Sequence, residues 1–250
     1  MPKLNLKYLS RKVPEITIYF WIIKLLSTAL GESTSDYLVF HINPYIAVSL
    51  GAIGLLVALT LQLLVRRYIA SVYWLTVVMV AIFGTMAADV LHVGFGIPYL
   101  ISTALFSILL AAVFIVWYLS EKTLSIHSIN TPRRELFYWA AVMTTFALGT
   151  ALGDMTAATL NLGYLLSGIL FIVLFLVPGF GYWKLGWKAV FVFWFAYIMT
   201  RPLGASFADW FGKPILGGLG LGDGIVSLVL TILIVVFVIY LTISQRDIKK

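Results

Sequence analysis

Ten acidic residues occur among 250, and four of them, Asp36, Asp89, Asp154 and Asp209, recur at one position of a repeated pattern. Phe20-Trp21 is followed by Gly31 and Asp36, Tyr73-Trp74 by Gly84 and Asp89, Tyr138-Trp139 by Gly149 and Asp154, and Phe193-Trp194 by Gly204 and Asp209. Every copy reads aromatic-Trp-x9-Gly-x4-Asp without insertion. A fifth acid, Glu32, lies one turn before Asp36, and the only basic residues within the four copies are Lys24 and Arg201. Carboxylates of this kind take up protons or bind cations. With nearby hydroxyls such as Ser27, Thr28, Ser33, Thr145, Thr150 and Thr200 they make a hard-oxygen environment suited to Mg²⁺, Mn²⁺, Ca²⁺, Na⁺ or H⁺. Glu32, Asp36, Asp89, Asp154 and Asp209 are therefore the candidate ion or metal ligands, with Glu32, Asp36 and Arg201 as the preferred centre. His41 and His92, five and three residues beyond their Asp neighbours, are candidates to add imidazole to a Mn²⁺ or Zn²⁺ site.

The elements that carry these residues follow from composition. The chain is 62% hydrophobic and only 11% charged, with a mean hydropathy of +1.03, whereas soluble domains carry about 25% charged residues. That excludes a water-soluble fold. Apolar stretches at 15–37, 44–65, 72–91, 98–119, 136–156, 160–179, 189–210 and 222–243 each approach the ~20 residues that a bilayer-crossing helix needs. Eight spans are expected. The first is expected to open at Lys12-Val13-Pro14-Glu15, with proline in its first turn. Lys24 inside it and the lack of a small-residue cleavage site read as a span and not a signal peptide. With no cysteine, disulfides, thiolate metal sites and cysteine nucleophiles are all excluded.

Orientation comes from the basic residues. Lys3, Lys7, Arg11 and Lys12 precede the first span, Arg66 and Arg67 follow the second, Lys122, Arg133 and Arg134 the fourth, Lys184 and Lys188 the sixth, and Arg246, Lys249 and Lys250 the eighth. All lie on one side, and the opposite loops hold only Lys213. The positive-inside rule places both termini in the cytoplasm. The +7 net charge is accounted for by anionic lipid and calls for no nucleic acid.

Each copy of the pattern occupies an odd-numbered span and is followed by an even one. A two-span unit returns to its starting side, so the four copies are parallel repeats. The expected fold is all-α integral membrane, one domain over 1–250 with repeats at 14–66, 67–120, 134–182 and 188–244. Pseudo-fourfold ring and pseudo-twofold pair of pairs are both open. The stretches FWIIKLLSTALGESTSD, YWAAVMTTFALGTALGD and FWFAYIMTRPLGASFAD, with Trp21, Trp74, Trp139 and Trp194, resemble a family of bacterial integral membrane proteins. Its members are built from four tandem two-span repeats, each with a characteristic tryptophan. The resemblance implies this architecture in a bacterial inner membrane. The family is a repeat of unknown function, so it implies no activity.

Within a copy, the fifteen residues from Trp to Asp span about 22 Å and leave the two within about 60° of azimuth, on one face. The four Trp are expected as interfacial anchors near the basic side, with ligand stacking as a second role. Gly31/Ser35, Gly84/Ala88, Gly149/Gly153 and Gly204/Ala208 form small-xxx-small pairs that suit close helix contact, which puts the odd helices in an inner layer. A carboxylate at a helix centre costs about 2.5–3.5 kcal/mol in lipid, so the Asp residues should face an interior. A ring would place Lys24 and Arg201 near Asp36, Glu32 and Asp209.

The function expected from these features is transport of a small cation, a divalent metal or a proton-coupled ion, across the inner membrane. A pseudo-tetrameric cation channel and a non-transporting scaffold or sensor are the alternatives. No HExxH, GxSxG or Cys-His arrangement occurs, so no enzyme is expected, and no cofactor; a metal enters only as substrate. The expected partners are the bilayer, the cation or proton and, in a homo-oligomer, further copies of the chain. Gly217-Gly218-Leu219-Gly220-Leu221-Gly222 reads as a flexible outer loop, since no strand precedes it and no Lys-Ser/Thr follows.

Overall fold

The computed structural model describes residues 11–248. Lys3, Lys7, Lys249 and Lys250, used above for orientation, lie outside the described residues. The described residues form eight long helices: α1 (Ile18–His41), α2 (Pro44–Leu64), α3 (Ala70–Asp89), α4 (Tyr99–Glu121), α5 (Pro132–Asp154), α6 (Gly163–Leu185), α7 (Ala189–Gly212) and α8 (Asp223–Ser244). α2 to α8 are long and apolar enough to cross a membrane. α1 matches them in length while carrying Lys24, Glu32 and Asp36, all buried. The molecule is a multi-pass membrane protein. α3 and α5 each continue into a π-helical turn directly after their Asp, Val90–Gly94 and Met155–Thr159.

α1 starts later than its proline suggests. Thr17 caps it by accepting from the Phe20 N–H, and the residues before it form a strap. In that strap the Arg11 carbonyl accepts from the Tyr68 N–H, the Glu15 N–H donates to the Asp247 carbonyl at 2.9 Å, and Lys12 Nζ pairs with Glu135 at 2.6 Å. The strap thereby joins both ends of the chain on the basic side. At α2 and α5, by contrast, Asn43-Pro44 and Thr131-Pro132 start the helix with a side-chain cap followed by proline.

The odd helices form the inner layer. α1 packs on α3, α3 on α5, α5 on α7 and α7 back on α1, a closed four-membered ring, which decides between the two symmetric arrangements. Within an apolar 18-residue stretch of each of the odd spans α3, α5 and α7, 56% to 72% of the residues are buried, against 17% to 28% in the even ones, whose apolar side chains face lipid. The partnership of the even helices is not the one the repeat boundaries suggest. α2 packs chiefly on α3, α4 on α5, α6 on α7, and α8 on α1. Each repeat thus covers the next one, and the last covers the first.

Two layers of contacts set the ring. A Cβ on Gly31 would collide with Ala81, one on Gly84 with Phe146, one on Gly149 with Arg201 and one on Gly204 with Thr28. Each of those neighbours stands three residues before the glycine of its own copy, so one close approach is made four times around the ring. Nearer the basic end, Phe20 meets Trp74 (ring centroids 5.7 Å), Tyr73 meets Trp139 (5.6 Å), Tyr138 meets Trp194 (6.2 Å) and Phe193 meets Trp21 (5.9 Å). Trp74, Trp139 and Trp194 are buried, which corrects their reading as interfacial anchors: they form a collar inside the protein, and only Trp21 is partly exposed.

Gly204→Ala should lower stability by roughly 1–3 kcal/mol through overpacking against Thr28 and the Ala29 backbone. At Gly179 in α6 a Cβ meets nothing, so Gly179→Ala should be neutral or stabilising by up to about 1 kcal/mol. Unfolding of both variants in detergent checks this; equal behaviour would remove the ring-closing role of Gly204.

Candidate functional site

Arg201 lies inside the ring and is fully buried. Its Nη2 stands 2.5 Å from Glu32 Oε2 and 2.7 Å from Thr150 Oγ1, and also donates to Thr85 Oγ1; Nη1 donates to the Thr28 carbonyl at 3.4 Å. One guanidinium on α7 therefore ties together α1, α3 and α5. Glu32, Thr85 and Thr150 are the residues that follow Gly31, Gly84 and Gly149; the fourth such position is Ala205. The layer is fourfold in register, with three acceptors and one vacant corner. A buried guanidinium requires such a set, because its donors have no water to turn to.

One turn beyond this layer come the four Asp residues at the end of the ring away from the Trp collar. Glu32, Asp154 and Asp209 each place a carboxylate oxygen within 4.8 Å of the others. Asp89, Asp154 and His92 do the same with two oxygens and a ring nitrogen. Lys213, just past the end of α7, reaches Asp36 at 2.8 Å and Asp209 at 2.9 Å. Burial alone would lower the Lys213 pKa, but the carboxylates of Asp209, Asp36 and Glu32 outweigh it and hold it well above the ordinary lysine value.

Three acids in these two layers thus have a cationic partner: Glu32 pairs with Arg201, and Asp36 and Asp209 share Lys213. Among the described residues, Asp89 and Asp154 have no Lys or Arg within ion-pair distance; the His92 imidazole stands beside them, its Nδ1 3.9 Å from Asp154 Oδ2. Both are partly exposed, Asp154 to 20% of its side chain. Both also precede the two π-helical turns, a local distortion often found at functional sites. Two cavities lie away from these acids. One of about 380 Å³ sits at the basic end beside Arg67, Tyr68 and Asp247, and an apolar one of about 350 Å³ lies between α1, α6, α7 and α8.

The same four registers recur outside this molecule. A family model described as Repeat of Unknown Function (DUF347) matches residues 19–68, 72–123, 137–185 and 192–247. The chain belongs to the DUF347 repeat family. No curated protein matches it, and no solved structure does.

Each DUF347 repeat brings its Asp to one end of the ring, as the interior placement requires, but the basic partners differ from those expected. Lys24 joins none of the acids. It precedes Glu32 by eight residues, about 12 Å along α1, and its Nζ lies 3.9 Å from the Phe146 ring centroid and 4.1 Å from that of Tyr197. Aromatic faces take the place of a counter-ion there. Asp36 belongs to neither three-ligand group, since Lys213 holds it at the rim. His41 is exposed, stacks on Tyr37 and bonds that residue's carbonyl at 2.8 Å, so it stays on the surface. His92 is the histidine that reaches the acids.

Two residues of this constellation do not stand out in the sequence pattern. Lys213 reads as a lone loop cation, although Asp209 four residues earlier is a signal for pairing. Thr85 carries no charge to draw notice, although it shares its register with Glu32 and Thr150. The glycine-rich segment after Lys213 is no free tether: the N–H groups of Leu219, Leu221 and Gly222 donate to the carbonyls of Trp210, Phe211 and Gly212. It folds back along the end of α7 and so fixes the position of Lys213.

Lys213→Met should lower the melting temperature in detergent, with a defined pH dependence. A lysine whose folded pKa is raised contributes stability that is fully present below its unfolded value of about 10.4, lost only as pH rises through the higher folded one. The gap to the wild type should therefore be constant from about pH 7 to pH 10 and close above. A gap that shrinks between pH 7 and 9 would show that the two ion pairs carry no such weight.

Proposed function

We propose that this DUF347 protein is a membrane carrier for a small cation or proton, and not an enzyme. It needs no cofactor, and its partners are the bilayer and the ion. The observation that carries the reading is the pair Asp89 and Asp154, which meet at one end of the ring, partly exposed and without Lys or Arg, while Glu32, Asp36 and Asp209 beside them each have a cationic partner. Holding two such groups together in a membrane domain is costly unless a positive charge arrives to meet them. With the basic loops on the cytoplasmic side, the acids face outward in a bacterial inner membrane. Arg201 and Lys24 stand between them and the cytoplasm. That sequence of charges suits a carrier with its inner path closed better than an open pore, because the guanidinium bridges all four inner helices.

Flux of protons and of a panel of metal cations into vesicles reconstituted with the full chain tests the proposal. Wild type should support flux that the variant with Asn at Asp36, Asp89, Asp154 and Asp209 abolishes. Equal flux in both would overturn the role of the acids. Unitary currents in planar bilayers would replace the carrier with a channel, and no flux in either assay would leave a scaffold or sensor.

A further inference from the structure

His92 sits where an imidazole is most useful to a metal ion, and its hydrogen bonding leaves one nitrogen free. It is 91% buried, and its Nε2 lies 2.6 Å from Ser102 Oγ. The Ser102 hydroxyl is 3.1 Å from the Tyr99 carbonyl, to which it donates. Its oxygen is then left to accept from Nε2–H, and Nδ1 keeps its lone pair. Nδ1 is buried without a hydrogen-bond partner, and it faces Asp154 Oδ2 across 3.9 Å. A lone pair opposite a carboxylate at that distance is repulsive unless a proton or cation lies between them. The Tyr99 ring stands edge-on to the imidazole, with centroids 4.5 Å apart, and limits its rotation. A ring nitrogen whose other N–H is anchored by a hydroxyl is the support that metal-binding histidines show.

We propose that Asp89, His92 and Asp154 form a binding site for a divalent transition-metal cation, Mn²⁺, Co²⁺ or Zn²⁺, in preference to Mg²⁺ or Ca²⁺. The three donor atoms lie within 4.8 Å of one another, a spacing that small side-chain adjustments bring around one ion. Two carboxylates with one imidazole favour such ions over the all-oxygen preference of Mg²⁺ and Ca²⁺. The histidine is specific to the second repeat, so the site occurs only where that copy meets the third: the residue three after Asp is His92 there, but Val39, Ala157 and Gly212 in the other copies. As a statement about cargo, this rests on the carrier reading. As a statement about binding, it stands alone.

The test is Co²⁺ titration of the purified, untagged full chain in detergent, followed by visible absorption, with Mn²⁺ and Mg²⁺ as competitors. One Co²⁺ per chain is expected, displaced by Mn²⁺ and poorly by Mg²⁺. His92→Ala should weaken binding at least about tenfold and shift the absorption band, and Ser102→Ala should weaken it by about tenfold through loss of the Nε2 anchor. If His92→Ala fails to fold, Ser102→Ala and Asp89→Asn carry the same reading. No Co²⁺ binding, binding indifferent to these substitutions, or Mg²⁺ competing as well as Mn²⁺ would overturn the site. Vesicle flux of protons without Co²⁺ binding would remove this site and keep the carrier. Co²⁺ binding without flux would keep the site and remove the carrier.

Discussion

Arg201→Met should destabilise the protein by about 3–5 kcal/mol, the cost of leaving a buried partner uncompensated. Glu32 would remain 2% exposed and without its cation, and Thr85 and Thr150 would each lose a donor from the guanidinium. Arg201→Lys should recover only part of the loss, because an ammonium cannot reach Glu32, Thr85, Thr150 and the Thr28 carbonyl with one planar fork. Replacing both partners together, Glu32→Leu with Arg201→Met, should return stability to within about 1–2 kcal/mol of wild type, since no charge is then stranded. Denaturant unfolding in detergent reads all three. A single Arg201→Met variant as stable as wild type would mean that this layer does not hold the ring together. The same double variant should still lose flux if the pair is also the gate on the cytoplasmic side of the acids.

Asp154→Asn should reduce cation flux more than any other single Asn substitution. Asp154 is the one acid in both three-ligand groups, with Glu32 and Asp209 on one side and Asp89 and His92 on the other. The expected loss exceeds the ~10–100-fold typical of removing a supporting group from an ion site. Asp36→Asn should cost roughly tenfold less than that, because its carboxylate is already satisfied by Lys213. Initial rates of uptake into vesicles, at matched protein content, give the ranking. Equal losses at Asp36 and Asp154 would show that net charge, and not the Asp89–Asp154 junction, governs the path.

Much of this was legible from spacing alone, and for a physical reason. Lipid forces every span into a helix, so a fixed interval along the chain becomes a fixed height and face. The glycines therefore mark the close approach and the Asp residues share one level. The lateral partners were not legible in the same way. Lys24 and Arg201 sit eight residues before Glu32 and three before Gly204, and only the ring geometry shows that one ends among Phe146 and Tyr197 and the other at Glu32. Trp74 and Trp139 have the composition of an aromatic belt, yet the neighbouring repeat covers them, which a single helix cannot reveal. The packing of each even helix on the following odd one is likewise a property of the closed ring. Lys213 depends on a loop that folds back by backbone hydrogen bonds, a feature that side-chain patterning does not encode. The π-helical turns after Asp89 and Asp154, absent after Asp36 and Asp209, divide four similar copies into two kinds, although the motif is the same in all four.

The account turns on Asp89 and Asp154 being open to a cation that comes from outside the protein. Labelling of the reconstituted chain with a carbodiimide, located by peptide mass spectrometry with and without saturating cation, measures this directly. Modification should fall on Asp89 and Asp154, spare Glu32, and be suppressed by the ion that the vesicles transport. Unmodified Asp89 and Asp154, or modification that no cation prevents, would contradict it.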